Sequence, residues 1–428
     1  MRVLVLSNLY PPTVLGGYEL VCEGVVDRLR ESGHDVIVLT SVGPRGGADE
    51  HVRRELSLYM RGGRGHQPYP LLRLKREWAD NRVLERQPEW DVALVFHMFA
   101  LAKSLLTALH ERGPVGYVLA DLWPAWDLST DTWLGRLHPE GPPGTPSRGV
   151  RRLKYPSLVA RTTAPLARLA GVPADWPDLF GEGHWWANSR WVLDELVLRK
   201  HLPLGGPRVI HHGVPLELFP FAPRSEPGLR MLYVGRITQA KGVDVALGAL
   251  DLIPRSRLTL VGPLDPEFSD RHERASFMSP VPRKELSEIY RSHDIVLFPV
   301  TWNEPLGLVP LEAMATGIPV VATGTGGSAE YLEHERNCLL VAPGDAQGLA
   351  DAVERMTADG ALRQRLISEG RTTAERMSFA RTAAAIEEAT AALAGGRPVT
   401  AGEPYQTSDP PAQGMSEPPS PERHSRAQ

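Results

Sequence analysis

Residues Arg230–Gly262 read "RMLYVGRITQAKGVDVALGALDLIPRSRLTLVG". A short apolar run, "RMLYVG", gives way to a polar loop, then to "GVDVALGALDLI" with helical spacing, then to a second apolar run, "RLTLVG". Two continuous apolar runs around a helix predict parallel strands covered on both faces and joined by a crossover helix. The plan continues downstream. "RKELSEIYRSH" predicts a helix, "DIVLFP", "IPVVAT" and "NCLLVAPGD" predict strands, and a long helix is expected from Ala346 onwards. Upstream, "RVLVLS", "HDVIVLTS" and "WDVALVFH" predict strands, and "GYELVCEGVVDRLRESG" a helix that stops at Gly33. The chain therefore reads as α/β, with two Rossmann-like doubly wound parallel-sheet domains in tandem facing a central cleft.

Length agrees with that reading, because 428 residues suit two domains of roughly 150–200 residues better than one. A boundary near Arg199–Pro207 gives an N-terminal domain of residues 1–200 and a C-terminal domain of residues 201–375. Residues 376–394 are expected to form a helix crossing back to the N-terminal domain. Between about 121 and 185 the alternation is lost in a Trp-, Pro- and Gly-rich insert; seven of the ten tryptophans lie between Trp123 and Trp191. The tail 395–428 is rich in Pro and Ser without periodicity and is expected to be disordered.

A formal net charge of −4 gives no electrostatic reason for a nucleic-acid partner. Cys22 and Cys338 stand far apart and make neither a disulfide framework nor a metal cluster. The first apolar run is too short for a signal peptide, and nothing approaches the ~20 apolar residues of a membrane span. A cytoplasmic location is expected. The basic run Arg148, Arg151, Arg152, Lys154 leaves a peripheral contact with the inner membrane face open beside its plainer reading as a solvated helix face. The sequence carries no signal for an oligomeric state.

Unusual residues gather where the strands end. In "YVGRITQAKG", Arg236 and Lys241 follow a strand and precede a helix. A flat guanidinium fork, a point charge and a helix N-terminus together suit a diphosphate; the alternative is a solvated loop. In "NEPLGLVPLE", Glu304 follows the strand "DIVLFP", and Glu312 falls about one turn into the helix "LVPLEAMATG", which carries Pro310 early and stops at Gly317. The amides of Leu306, Gly307 and Leu308 then point out of a helix N-terminus, a second anion site. On the plainer reading Glu304 is a helix-dipole acid and Glu312 a surface residue. Against it, Glu312 sits among Leu311, Ala313 and Met314, an apolar place for an unpartnered acid. In the first half, Gly16 and Gly17 follow strand one and allow close backbone approach to a ligand, and His97 ends the strand "DVALVFH".

Together, "PPTVLGGYE", "ANSRWVLDEL", "VIHHGVPLELF", "YVGRITQAKG" and "HDIVLFPVTWNEPLGLVPLEAMATGIPVVATGTGGSAEYL" resemble the retaining, nucleotide-sugar-dependent glycosyltransferases of the GT-B fold, in particular the fourth family, or glycosyl transferases group 1. The spacing of Glu304 and Glu312 within "EPLGLVPLEAMATG" is the specific part of the likeness. The resemblance implies that Arg236 and Lys241 hold the donor diphosphate, Glu304 the sugar hydroxyls and Glu312 the ribose. Leu306, Gly307 and Leu308 would bond phosphate through their amides. Gly16 and Gly17 would flank the donor pocket, and His97 would lie near the reacting centre. It further implies transfer with retention, no cofactor and no metal, since Arg and Lys replace a divalent ion. UDP-sugars are the favoured donors, with GDP- and dTDP-sugars as alternatives. The acceptor is a hydroxyl of a glycan, a lipid-linked sugar or a small molecule. Asp121 and Trp123 are candidate acceptor residues; Trp123, Trp126 and Trp133 either stack on sugar rings or pack an irregular loop. Departures from the family pattern fall at His211–Pro215, at Ala120 before Asp121, and at Ser279 beside the expected base pocket. The alternatives are a nucleotide-sugar epimerase or phosphorylase on the same fold, or a non-catalytic nucleotide-sugar-binding protein.

Overall fold

The computed structural model describes residues 1–14, 16–41, 49–58, 60–61, 64–65, 70–125, 165–166, 169, 183–199, 204–224, 228–268 and 272–405. Trp126, Trp133, Arg148, Arg151, Arg152 and Lys154 lie outside them. The chain divides into two compact units, Met1–His211 with Ala383–Pro410, and His212–Thr382.

The first unit is built on strands β1 (Arg2–Ser7), β2 (Asp35–Ser41), β3 (Val52–Leu56), β4 (Val92–His97), β5 (Val115–Leu119), β6 (His184–Ala187) and β7 (Gly205–Val209). They lie in the order β3-β2-β1-β4-β5-β6-β7, every neighbouring pair parallel, and Glu403–Pro404 adds antiparallel to β7. The second unit repeats the plan with β8 (Arg230–Val234), β9 (Arg257–Val261), β10 (Ala275–Met278), β11 (Ile295–Phe298), β12 (Val320–Ala322) and β13 (Leu339–Leu340), in the all-parallel order β10-β9-β8-β11-β12-β13.

The apolar runs follow from this layering. Alternate residues point to opposite faces of a strand. Leu232, Val296 and Val320 enter one core beneath the second sheet, while Met231, Tyr233, Ile295, Leu297 and Val321 enter another above it. A strand wetted on neither face reads as a nearly continuous apolar run. In both sheets the order of the first six strands reverses direction between the first strand and the fourth, the point where doubly wound folds collect ligands. Both units are thus α/β domains built on mainly parallel sheets.

Two expectations need correction. The long helix from Ala346 is three helices, Ala346–Ala358, Gly360–Arg376 and Phe379–Ala394. Asp359 breaks the first from the second: its backbone is extended and its carboxylate accepts from the amide of Leu362, as Asp345 does from Gly348. The tail is not disordered from Gly395 onwards, because residues 395–405 pack. The Arg208 guanidinium donates to the carbonyls of Thr400, Ala401 and Gly402, and the Tyr405 hydroxyl donates to Asp194 at 2.7 Å. Polar composition misled because much of the anchoring falls to backbone carbonyls, with only Ala401 buried and Tyr405 packed on the core. Residues 406–428 lie outside the described residues. Among the described residues no helix is long and apolar enough to cross a membrane.

Beside β11, Asp294 is 2% exposed and accepts from the Arg230 amide at 3.0 Å, from the Arg230 guanidinium twice at 3.1 Å, and pairs with Arg224 at 2.7 Å. Burial pushes its carboxyl up, but the Arg230 hydrogen bonds and the two cationic charges outweigh burial and hold it below the ordinary range. A folded-state pKa below the unfolded one contributes stability that is present at neutral pH and lost as pH falls through the carboxylate range. The urea midpoint should therefore fall more steeply for the wild type than for Asp294→Asn between about pH 6 and about pH 3. Parallel slopes would show that the cluster adds nothing to acid stability.

Candidate functional site

In the second unit the loops after β8 and β11 are tied to each other. The Thr301 amide donates to the Ala240 carbonyl at 3.2 Å, and its hydroxyl to the Gln239 and Ala240 carbonyls at 3.2 and 3.3 Å. Between them Gly242 takes φ +73°, and a Cβ there would lie 1.8 Å from the Pro299 carbonyl oxygen. Only glycine lets the helix Val243–Leu252 begin that close to the end of β11.

This closure brings two predicted residues together. Lys241 Nζ lies 2.5 Å from Glu304 Oε2 and 4.8 Å from the centroid of the Trp302 ring, while Trp302 Nε1 donates to the same Glu304 oxygen at 2.9 Å. The backbone of Glu304 is clamped as well. Its carbonyl accepts from Gly327 at 2.7 Å, and a Cβ on Gly326, at φ +59°, would meet that carbonyl oxygen at 2.4 Å. Arg236 stands one residue beyond Gly235 on the same loop as Lys241. Its side chain is exposed, and no acceptor for its guanidinium is found among the described residues. Lys241 is thus oriented by a carboxylate, while Arg236, on the same loop, has no such partner among the described residues.

Leu306, Gly307 and Leu308 precede the helix Val309–Thr316, which has Pro310 in its first turn. Nothing among the described residues accepts from their three amides. The Gly307 carbonyl is fixed by the Tyr331 hydroxyl at 2.5 Å. These amides and the Arg236–Lys241 loop belong to the ends of β11 and β8, the pair at which the sheet reverses.

Glu312 is not a surface residue. It is 6% exposed; Arg283 Nη2 donates to Oε1 at 2.8 Å and the Tyr290 hydroxyl to Oε2 at 3.0 Å. Burial and the neighbouring Glu312 charge push the Tyr290 phenol well above its ordinary range, so it stays a donor.

In the first unit, β1 and β4 meet at the corresponding reversal. Ser7 pairs in register with His97, and the Asn8 amide donates to the His97 carbonyl at 2.8 Å. His97 Nε2 lies 3.4 Å from Asp121 Oδ2, and its buried Nδ1 has no hydrogen-bond partner among the described residues. The Tyr18 ring meets the imidazole edge to face at 4.7 Å, and its hydroxyl donates to the Val118 carbonyl at 2.6 Å. Tyr18 follows Gly16 and Gly17, where the helix Gly17–Glu31 begins; the Gly16 amide donates to Glu19 at 3.0 Å. Thus Gly17, His97 and Asp121 share one neighbourhood. Trp123 is 1% exposed and packs in the core of this unit, so of its two sequence readings the structure has the packing one. Its amide donates to Asp121 Oδ1 at 2.9 Å.

Sequence reasoning overlooked Trp302, Arg283, Tyr290 and Tyr18. A signal existed for one pair: Arg283 and Tyr290 are seven apart on a predicted helix and so share a face.

The family model described as glycosyl transferases group 1 matches residues 228–359, the span that holds every one of these second-unit groups. Over those residues the chain is similar to the group 1 glycosyl transferases. The chain is 32% identical over 190 residues to a D-inositol 3-phosphate glycosyltransferase of Mycobacteroides abscessus, covering 39% of this chain and 42% of that protein. The match thus spans about two fifths of that relative's length. It is 28% identical over 396 residues to a glycogen synthase of Mycobacterium tuberculosis, covering 85% and 88% of the two chains. Among solved structures it superposes on Anabaena HepE in complex with UDP and glucose with a TM-score of 0.62, at 20% identity over 92% of this chain and 100% of that one. Within this matched span, the ends of β8 and β11 carry the cation–carboxylate pair.

Proposed function

We propose that the protein is a retaining, metal-independent glycosyltransferase. It moves a sugar from a nucleoside-diphosphate sugar, with UDP-sugars favoured, to a hydroxyl of a glycan, lipid-linked or small-molecule acceptor. The observation that carries this reading is Lys241 held on Glu304, with Arg236 exposed on the same loop and unpartnered among the described residues, at the ends of β8 and β11. The relatives' names and the UDP held by HepE support it.

When the sugar–phosphate bond breaks, negative charge builds on the leaving diphosphate. Donors set in place beforehand stabilise it without reorganising at that moment. Arg236 offers two parallel N–H groups, Lys241 a compact charge, and Leu306, Gly307 and Leu308 their amides. Glu304, anchored by Trp302, is left to accept from sugar hydroxyls as Lys241 turns to phosphate. The acceptor hydroxyl attacks the face the diphosphate leaves, so no carboxylate nucleophile is needed. Glu312 takes the ribose. Gly16, Gly17, His97 and Asp121 belong to the acceptor-binding domain, with His97 the group assigned to the reacting centre.

The test is a thermal-shift series with UDP, GDP and dTDP against their monophosphates. A diphosphate at about a hundred times its Kd adds about 2.7 kcal/mol to the stability of the folded state. One diphosphate should raise the melting temperature by several degrees, and its monophosphate should do so less. No shift with any of the three would remove the basis of the proposal.

A further inference from the structure

A buried carboxylate with one donor on each oxygen is a constrained acceptor. Glu312 has the guanidinium of Arg283 on Oε1 and the phenol of Tyr290 on Oε2, and neither donor is free to wander. Tyr290 is fully buried, with its ring 5.8 Å from that of Phe219 and edge to face with it; Arg283 lies 5.6 Å above the same Phe219 ring. Phe219 is itself fully buried. One aromatic residue thus seats both donors, and both donors seat one carboxylate. Arg283 opens the helix Arg283–Arg291, Tyr290 lies two turns along it, and Glu312 is in the first turn of Val309–Thr316.

An ionised carboxylate can accept about four hydrogen bonds, so one on each oxygen leaves capacity on both. Fixing the carboxylate plane decides where that remaining capacity points. A clip holding two helices together needs no such arrangement, because a buried ion pair is replaceable by apolar contact at little cost in stability.

We infer that Arg283 and Tyr290 are positioning residues for ribose recognition: they hold the Glu312 carboxylate so that its remaining acceptor sites meet the vicinal 2′- and 3′-hydroxyls of a nucleoside diphosphate. This rests on the donor-site reading above. It makes specificity for ribonucleotides over their deoxy forms depend on two residues that do not touch the ligand.

The probes are UDP and GDP, each with its 2′,3′-dideoxy form, titrated calorimetrically. The wild type should favour the ribonucleotide by about tenfold or more, the scale of hydrogen bonds to a charged acceptor. Tyr290→Phe keeps the buried ring and removes only the donor to Oε2. It should cut that ratio at least roughly threefold through weaker ribonucleotide binding, while the dideoxy form binds as it does to wild type. Arg283→Lys, which keeps the charge and loses the planar fork, should fall between wild type and Glu312→Gln, where the preference disappears. If Tyr290→Phe and Arg283→Lys both keep the wild-type ratio, Glu312 needs no positioning and the inference is overturned. A wild-type ratio in Glu312→Gln would overturn it equally. Failure of every nucleotide to bind the wild type would instead strike the donor-site reading, and this inference would fall with it.

Discussion

Lys241→Ala and Arg236→Ala each lower turnover at least tenfold, a loss of about 1.4 kcal/mol or more of transition-state stabilisation. The larger loss is expected at Lys241. Its ammonium sits 2.5 Å from Glu304 and over the Trp302 ring, so truncation should remove the proposed phosphate donor and also release the carboxylate that should hold sugar hydroxyls. After the change Glu304 keeps only the Trp302 indole on that oxygen. Two linked losses approach the ~3–4 kcal/mol seen for one well-placed donor to a developing oxyanion. Arg236 is the cleaner case. It is exposed and gives up no partner among the described residues, so its removal should leave stability within about 0.5 kcal/mol. Any loss of activity then belongs to the reaction. Diphosphate release measured under steady-state conditions should show the effect in kcat more than in KM, since charge on the leaving group matures in the transition state. Wild-type turnover in both variants would mean that the diphosphate lies elsewhere.

How much of this was legible beforehand depends on what each residue answers to. Most strands buried on both faces announce themselves, as β1, β2, β4, β8, β9, β11 and β12 do, whereas the equally buried β5 lies beside the irregular insert and was not foreseen. The edge strand β10 does not: "ASFM" alternates between half-buried and exposed positions, so no apolar run marks it. Likewise β3, "VRREL", carries two arginines because only Leu56 of its residues is fully buried. Site residues at strand ends were readable from position alone, since Arg236, Lys241, Glu304 and His97 each end an apolar run or lie on the loop that follows one. Their partners were not. Trp302 supports Glu304 through a bond fixed by loop closure, and Arg283 reaches Glu312 from a helix nearly thirty residues away. Pairings of that kind are set by tertiary packing, on which local spacing is silent. Asp359 shows the converse failure. A capping carboxylate inside a helical pattern reads as one more polar face residue until the backbone bends there.

Gly242→Ala should be the most damaging single-methyl change near the site, costing roughly 3 kcal/mol or more in stability. Two effects add. The backbone at φ +73° is a left-handed conformation that costs a side chain about 1–2 kcal/mol. The new methyl would also stand 1.8 Å from the Pro299 carbonyl oxygen and 2.6 Å from its carbon, and a backbone group cannot turn aside as a side chain can. Gly344 separates these terms. It holds φ +83°, yet a Cβ there would meet nothing within 4 Å, so Gly344→Ala carries the conformational cost alone, about 1–2 kcal/mol. Urea unfolding of the two variants beside the wild type therefore isolates the steric term. If the protein instead relieves the clash by parting the loops after β8 and β11, stability recovers partly, but the Thr301–Ala240 bond stretches and Lys241 leaves Glu304. Turnover then falls even though the substituted residue bears no chemistry. Equal destabilisation in Gly242→Ala and Gly344→Ala, with wild-type turnover in both, would show that the close approach of Gly242 to Pro299 does not hold the pair together.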